Sequence, residues 1–271
     1  MDADRTLQTL AGLAAEASER LAGLSSPHEK VAALNDYVFE ELGFQSVSDP
    51  RNPDHLYLDR VLRGRRGYCT SLVLVYLEIA RELGLPVFPA ATPHHVFLRY
   101  DDGKTRINIE TVEGGREVLD ETYRRRHRIS PPATGQPIYL KNLTDDEFLS
   151  TLVNNMGVLR SLRKQIEAAD ELYREALQLD PLNATAIYNM ARDTMRRNDC
   201  KDAIGQFSRV LSLNPGHIES LNNRGICFAK LENVEAAKAD FEAALAVHPG
   251  FTEARRNLDS LQAVGAPGDG R

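Results

Sequence analysis

The stretch RGRRGYCTSLVLVYLEIARELG, residues 63–84, runs from a glycine-containing turn into an apolar segment. Apolar side chains recur in it at the three- and four-residue spacing of a helix, from Leu72 to Leu83. Gly84 follows, and glycine is common just beyond the last helical residue. The pattern predicts a core helix that begins near Cys69 and ends at Gly84.

Cys69 lies where the turn becomes the helix. A side chain at that position is surrounded by unpaired backbone N–H groups and by the positive end of the helix dipole. Both favour the thiolate, which is the nucleophilic form of cysteine, and Arg65 and Arg66 would add to the positive potential. The alternative is that Cys69 is a small buried hydrophobe that opens a core helix, which is the commoner fate of a cysteine.

Three strands are predicted after this helix, at residues 87–91, 96–100 and 105–110. If Asp102 and Gly103 are the central residues of a type I′ turn, Asp101 pairs with Lys104 and every further cross-strand pair follows. His95 then lies directly opposite Glu110. Directly opposed side chains have Cβ atoms ~4.5–5.5 Å apart, which allows an imidazole to carboxylate hydrogen bond.

The other face of this hairpin is apolar and can pack on the helix after Cys69. Its members are Val96, Leu98, Ile107 and Ile109. In the same register Arg99 opposes Arg106, a like-charge pair that costs stability unless an acid or an anion lies between them. Asn108 opposes Phe97 on the face of Glu110 and is a weaker alternative to that acid. The side chains expected at a substrate entrance are Tyr68, His94 and Asn108.

A thiol at a helix start, a histidine on a neighbouring strand and an acid one strand further provide a nucleophile, a base and an orienting group. Residues 28–123 resemble the SirB1-like branch of the transglutaminase-like superfamily. The resemblance lies in Asp49-Pro50-Arg51-Asn52, Leu62, Arg66-Gly67, Ser71-Leu72, Leu83-Gly84-Leu85-Pro86, Pro93-His94-His95-Val96, Arg99, Ile109-Glu110 and Gly114-Gly115.

The resemblance implies an α+β papain/transglutaminase-like core, with helices and a small antiparallel sheet. By position, Cys69 matches the nucleophile, His95 the base and Glu110 the acid. Many SirB1-like proteins lack the cysteine and are regarded as inactive, whereas this chain keeps it. The third residue is usually Asp in an Asp-Pro pair, but Glu110-Thr111 stands here, so that a longer acid must orient His95.

The C-terminal half is a repeat, because Pro181, Pro215 and Pro249 recur every 34 residues. Two columns of small residues, one aromatic column and one mostly small apolar column align with them. They are Gly157, Ala191 and Gly225; Ala169, Ala203 and Ala237; Tyr173, Phe207 and Phe241; and Ala176, Val210 and Ala244. This resembles the tetratricopeptide repeat, an all-α solenoid, over about residues 148–263, with a closing helix at 251–264.

A further column holds Asn155, Asn189 and Asn223, at one point on the first helix of each unit. In the family this point faces the concave groove, and asparagines there hydrogen-bond the backbone of an extended peptide. The resemblance therefore implies a peptide-binding ladder. The alternative is that the column only bonds neighbouring helices within the solenoid.

Length, charge and residue counts indicate the number of domains, the class of partner and the cellular compartment. The 271 residues suggest two domains, and a net charge of −6 argues against nucleic acid or an anionic membrane as partner. Three scattered cysteines without a CxxC indicate neither a disulfide framework nor a zinc site, and no signal peptide is visible, so a reducing cytoplasm is expected. No cofactor or metal is expected, because the remaining histidines are dispersed: His28, His55, His127, His217 and His248.

The expected domains are residues 1–145, a transglutaminase-like domain, and 146–264, the repeats, with a disordered tail at 265–271. The leading hypothesis is a cysteine-dependent hydrolase or acyltransferase, acting on an amide or acyl bond through a Cys69-His95-Glu110 triad and a thioester. The repeats would recruit a protein or peptide. The alternative is an inactive core that serves as a tetratricopeptide protein-binding module. The run at residues 124–128, rich in arginine, is interpreted as a solvated face.

Overall fold

The computed structural model describes residues 3–49, 51–129 and 137–265. Its N-terminal half combines helices with two small sheets, as the α+β expectation required. The helices are α1 (Ala3–Leu21), α2 (Pro27–Asn35), α3 (Leu58–Gly64), α4 (Cys69–Glu82) and α5 (Asp120–His127). A π-helical segment, Asp36–Glu41, extends α2, and short 3-10 turns lie at Pro53–His55 and Thr111–Glu113.

The strands form one parallel pair and one antiparallel sheet. The pair consists of β1 (Gln45–Ser46) and β2 (Arg66–Gly67). The sheet has the order β3-β4-β5-β6, with β3 at Val87–Thr92, β4 at His95–Asp101, β5 at Arg106–Glu110 and β6 at Arg116–Glu117. Because neighbours in the sheet are also neighbours in sequence, short turns are sufficient to connect them.

The register between β4 and β5 differs from the predicted one by two residues. Leu98 lies opposite Ile109, Arg99 opposite Asn108, and Asp101 opposite Arg106. The predicted pairs Arg99–Arg106, Phe97–Asn108 and His95–Glu110 were therefore wrong.

The cause is the turn. The carboxylate of Asp102 accepts hydrogen bonds from the backbone N–H groups of Lys104 (2.9 Å) and Thr105 (2.7 Å). This side-chain turn replaces the two-residue turn and lengthens the connection. A shift of two residues leaves every side chain on its predicted face, so His95 and Glu110 become diagonal neighbours on one face.

Both faces of the sheet are covered. The apolar face packs on α4 and joins the main core, to which Val96, Leu98, Ile107 and Ile109 belong. The opposite face packs on α5, where the ring of Tyr123 stacks on Phe97 at 4.1 Å between centroids. The expectation that residues 124–128 are solvated fits the exposed arginines, but the helix that carries them buries Tyr123.

The C-terminal half is a stack of helix pairs, as the repeat predicted. The pairs are α6 (Asp145–Leu162) with α7 (Ile166–Leu179), α8 (Ala184–Arg196) with α9 (Cys200–Leu213), and α10 (Ile218–Lys230) with α11 (Val234–Val247), followed by α12 (Thr252–Gly265). A Cβ added at Gly157 would lie 2.6 Å from the ring of Tyr173, and one at Gly225 2.7 Å from Phe241. The small column therefore exists to admit the aromatic column of the partner helix.

The repeats contact the core through their first helices. Asn155 in α6 hydrogen-bonds Thr70 at the start of α4, and the hydroxyl of Thr185 in α8 donates to the carbonyl of Pro93 at 3.0 Å. Arg81 in α4 also pairs with Asp145. These contacts bring the first helices of the first two repeat units against the two segments that bear Cys69 and His95.

Two further predictions concern the C-terminal tail and membrane-spanning helices. The disordered tail expected at 265–271 lies outside the described residues except for Gly265, the last residue of α12. Within the described ranges, no helix has both the length and the apolar character needed to cross a membrane.

Candidate active site

Cys69 is the first residue of α4, and its helix begins after Tyr68 in extended conformation. The turn before it is tightly held. The hydroxyl of Tyr68 shares its one proton between the carbonyl oxygens of Asp49 and Asn52, which lie 2.6 and 2.7 Å away, and Ser71 donates to the carbonyl of His55 at 2.6 Å. These bonds fix the backbone that presents the thiol at the amino end of the helix.

Gly67 permits this turn because its backbone packs closely on the helix. A Cβ at Gly67 would lie 2.8 Å from the Ser71 hydroxyl and 3.1 Å from Val61. Arg65, expected to add positive potential near Cys69, packs its guanidinium over the ring of Phe44 at 4.6 Å.

His95 begins β4 and hydrogen-bonds the acid on the next strand. Its Nε2 lies 2.9 and 2.8 Å from the two carboxylate oxygens of Glu110. The Glu110 side chain is 1% exposed and that of His95 14%. The diagonal placement explains why a long acid serves here, since diagonal neighbours are ~7–8 Å apart along the sheet and only a longer side chain reaches across.

Glu110 is held from three sides. The hydroxyl of Tyr123 donates to it at 2.8 Å, and the backbone N–H of Val112 donates at 3.2 Å. Burial alone raises the pKa of Glu110, but the hydrogen bond and charge of His95, together with Tyr123 and Val112, bring it below its usual value. The acid is therefore ionised at neutral pH and oriented towards the imidazole.

Cys69 and His95 line the same cavity, and the thiol is one of the groups that shift the pKa of the imidazole. Since Nε2 is taken by Glu110, the other ring nitrogen, Nδ1, is the one left for the sulfur. Burial lowers the pKa of His95, but hydrogen bonds and charges from Cys69 and Glu110 outweigh it and raise the pKa to about 9. The imidazole thus joins the thiol to the acid.

His127 covers one face of the imidazole. The rings of His95 and His127 are nearly parallel, with centroids 6.1 Å apart. Burial and the neighbouring charge of His95 lower the pKa of His127 to about 4, so its ring is neutral beside the His95 imidazolium. Sequence reasoning missed this contact because His127 lies in the arginine-rich run.

A cavity of about 210 Å³ opens between Cys69, His95 and the repeats. Its core side includes Thr70 and His94, and its repeat side includes Asn155, Asn189, Leu182 and Thr185. Of the predicted entrance residues, His94 lines this cavity. Tyr68 and Asn108 are not among the described residues that line it, so the cavity does not support their predicted place at the entrance.

Asn108 is instead part of a buried network that resolves the expected clash at Arg99. The Arg99 side chain donates to Asn108 at 2.7 Å, to Asp120 at 2.6 Å and to the carbonyl of Leu140 at 2.9 Å. Arg106 points away from this network and pairs with Asp101 at 2.9 Å. The acid that Arg99 needs is therefore supplied by the start of α5.

The family model described as Transglutaminase-like superfamily matches residues 4–154, more than half of the chain. The chain belongs to the transglutaminase-like superfamily. A tetratricopeptide repeat model matches residues 218–250, so the transglutaminase-like part is followed by tetratricopeptide repeats.

Individual proteins agree with this assignment. The UPF0162 protein of Xylella fastidiosa (strain 9a5c) is 32% identical over 128 residues, which cover 46% of this chain and 42% of that protein. Protein SirB1 of Salmonella typhimurium is 30% identical over 179 residues, 65% of each chain. The chain spans less than two thirds of the length of either relative. A solved structure, the first TPR of Spaghetti (RPAP3) bound to an HSP90 peptide, has a TM-score of 0.42 at 22% identity, covering 44% of this chain and 94% of that one.

The asparagine column of the repeats has partners within the chain. Asn155 donates to Thr70 of the transglutaminase-like core at 3.1 Å, and Asn189 donates to Asn154 at 3.0 Å. The amide of Asn223 lies 3.4 Å from the hydroxyl of Tyr188. Two of the three asparagines thus bond neighbouring repeat helices, and the third bonds the transglutaminase-like core.

Proposed function

We propose that the protein is a cysteine-dependent hydrolase or acyltransferase that cleaves an amide or related acyl bond. Cys69 would be the nucleophile, His95 the proton carrier and Glu110 the acid that orients the imidazole. One observation supports this most strongly: His95 hydrogen-bonds the buried carboxylate of Glu110 at 2.8 Å, lines one cavity with Cys69, and has its pKa raised by both groups. That order is what thiol catalysis requires of a base and its orienting group.

The proposed reaction starts from an ion pair of a Cys69 thiolate and a His95 imidazolium, and the carboxylate of Glu110 helps to hold the pKa of that imidazole at about 9. The sulfur attacks the acyl carbon, and the resulting oxyanion accepts hydrogen bonds from N–H groups at the start of α4, including that of Cys69. As the carbon–nitrogen bond breaks, His95 gives its proton to the leaving amine. The product is a thioester on Cys69.

The thioester is then resolved by a second nucleophile. His95, now neutral, takes a proton from water or from an amine, which attacks the acyl carbon and displaces the sulfur. Water yields a carboxylic acid and an amine yields a new amide, while the proton returns to the thiol pair. The same residues would catalyse both hydrolysis and acyl transfer.

The repeats would select the substrate. Their first helices form one wall of the cavity that contains Cys69 and His95, and that wall includes polar side chains such as Asn155 and Thr185. A peptide or protein segment that enters between core and repeats would contact both. We propose residues 1–145 and 146–264 as the two units, acting in a reducing cytoplasm that keeps Cys69 a thiol.

Acyl-enzyme trapping tests the chemistry. An activated ester such as p-nitrophenyl acetate should acylate the chain once, on Cys69, in an initial burst that intact mass spectrometry detects. His95→Ala should slow the burst strongly, whereas Cys200→Ala, which removes a buried thiol of the repeats, should leave it unchanged. Acylation of Cys69 at equal rates in the parent and His95→Ala would refute the triad.

A binding module without chemistry is the competing proposal, and the tetratricopeptide match is what favours it. It predicts that Cys69→Ala, correctly folded, keeps the cellular function, while changes at Asn155, Asn189 and Asn223 abolish partner capture. Loss of function in folded Cys69→Ala would exclude it.

A further inference from the structure

Three side chains of types that can ligate a metal ion lie close together beside the active-site cavity, at the turn before β4. His94 comes from that turn, His217 caps the amino end of α10, and Glu219 lies in the first turn of α10. Among the described residues, these three place one potential ligand atom each within 4.8 Å of one another. The sequence placed the histidines too far apart for a site, because the core and the third repeat unit come together only in the fold.

The carboxylate of Glu219 lies between the two imidazoles. One of its oxygens is 3.9 Å from Nε2 of His94, and the other is 3.6 Å from Nδ1 of His217. Both distances are longer than a hydrogen bond. A tetrahedral zinc ion with bonds of about 2.0–2.1 Å needs ligand atoms roughly 3.3 Å apart, so atoms now within 4.8 Å of one another would have to close by up to about 1.5 Å.

His94 can supply that closure, because its side chain is 51% exposed. His217 is fixed, with 4% of its side chain exposed and its ring packed against Tyr188 at 4.9 Å. The site therefore combines one rigid imidazole with one adjustable imidazole, and the carboxylate joins them.

The tautomer of His217 suits metal binding. Its Nδ1 accepts a hydrogen bond from the backbone N–H of Ser220 at 3.2 Å, so this nitrogen carries a lone pair and the ring proton is on Nε2. A neutral imidazole ligates a metal through its unprotonated nitrogen, which is Nδ1 here, once the hydrogen bond from Ser220 is given up. The cation would take the place of a single long hydrogen bond.

Of the two arginines near these side chains, one is paired with an acid. His94, His217 and Glu219 line a second cavity, of about 100 Å³, and Arg126 and Arg128 line it with them. Arg126 pairs with Glu113 at 3.1 Å, and Arg128 contacts Nε2 of His248 at 3.3 Å. The carboxylate of Glu219 is left to face the two imidazoles.

We propose that His94, His217 and Glu219 bind a divalent transition cation, with Zn²⁺ as the class that two imidazoles and one carboxylate favour. Three protein ligands leave a coordination position open. The cation would join the turn directly before His95 to the start of α10, and would thereby hold the core against the third repeat unit. Metal binding at this site does not require the chemistry proposed for Cys69.

Titration of the metal-free full chain with Co²⁺ tests the site, because a site of low coordination number gives visible d–d absorption. One Co²⁺ per chain should bind, Zn²⁺ should displace it, and Zn²⁺ should raise the melting temperature. His94→Asn and Glu219→Gln should each weaken binding by at least ~10-fold. Both change partly exposed side chains, so circular dichroism should show the parent fold. His28→Asn, at an exposed histidine of α2, is the matched control and should bind as the parent does.

The thiol near His95 could also attract the ion, so the titration is repeated with Cys69→Ser. Unchanged Co²⁺ binding in Cys69→Ser supports the proposed site whatever the catalytic fate of Cys69. Binding that is lost in Cys69→Ser, or that is equal in the parent, His94→Asn and Glu219→Gln, overturns it.

Discussion

Asn155 in the first repeat helix donates a hydrogen bond to the hydroxyl of Thr70, the residue that follows Cys69. The bond is the end of a chain of amides, because Asn189 donates to Asn154 and Asn154 donates to Asn155. A polar chain thus connects the second repeat unit with the helix start that presents the thiol. Changes in the repeats have a direct structural route to Cys69.

We predict that Asn155→Ala changes the reactivity of the Cys69 thiol, although the substitution lies in the repeats. Loss of the bond to Thr70, which is 1% exposed, should destabilise the protein by about 1 kcal/mol. Iodoacetamide should also modify Cys69 at a changed rate, and amide hydrogen exchange should increase at the start of α4. Intact-mass kinetics and hydrogen-exchange mass spectrometry measure both effects.

Asn223→Ala is the control for this prediction, since Asn223 belongs to the same column but contacts Tyr188 within the repeats. Its alkylation rate at Cys69 should equal that of the parent. Identical behaviour of the two variants would show that the polar chain does not reach the thiol.

The raised pKa of His95 makes stability depend on pH. Its pKa rises from 6.5 to about 9 in the folded chain, so the folded state holds this proton more tightly than the unfolded state. The resulting stabilisation is complete below pH 6.5 and is lost as the pH rises through 9. Urea unfolding should therefore show a decline in free energy between these values that His95→Gln lacks, and a flat difference between the two proteins would contradict the shift.

The glycines of the small column can be tested against a third glycine. Gly157→Ala should destabilise the protein by about 1–3 kcal/mol, because its Cβ would lie 2.6 Å from the ring of Tyr173. Gly205→Ala, in the middle of α9 with no atom within 4 Å of the added Cβ, should instead stabilise by up to ~1 kcal/mol. Thermal melts of the two variants distinguish them, and equal shifts would mean that the columns do not interlock.

The repeats were predictable because each unit meets its neighbours through residues at a fixed period. Gly157 and Tyr173 are close in sequence and recur as Gly225 and Phe241, so the aligned columns indicate which residues of the paired helices are in contact. The start of α4 was equally predictable, since Cys69 follows a turn signal and opens an apolar period. Local pattern and packing agree in both cases.

The contacts that sequence reasoning missed depend on the approach of distant segments. Asn155 is 85 residues from Thr70, and His217 is far from His94 along the chain. His127 was assigned to a solvated run, but the helix that carries it is held by Tyr123 against the sheet. No periodicity along the chain encodes these meetings.

The register failed for a local reason. Asp102-Gly103 has the composition of a two-residue turn, but the Asp102 side chain binds the backbone of Lys104 and Thr105 instead. The predicted pairing of His95 with Glu110 was wrong as a direct pair, while their shared face was right because the error was an even number of residues.

The diagonal placement leads to a last prediction, about the length of the acid. Glu110→Asp keeps the charge but shortens the side chain by one methylene, so the carboxylate should no longer reach Nε2 of His95 across the diagonal. Glu110→Gln keeps the length but removes the charge. We expect both to lower the pKa of His95, with about 1.4 kcal/mol of lost interaction for each unit, and to slow alkylation of Cys69.

Glu113→Gln, an acid in the turn after β5 that pairs with Arg116 and Arg126, is the matched control and should leave the rate unchanged. NMR titration of the His95 ring and the alkylation rate of Cys69 provide two independent readings. A register with His95 directly opposite Glu110 would place the shorter acid within reach, and Glu110→Asp would then behave as the parent. Slow alkylation of Cys69 in Glu110→Asp, together with a lowered pKa of His95, is the result that the diagonal placement predicts.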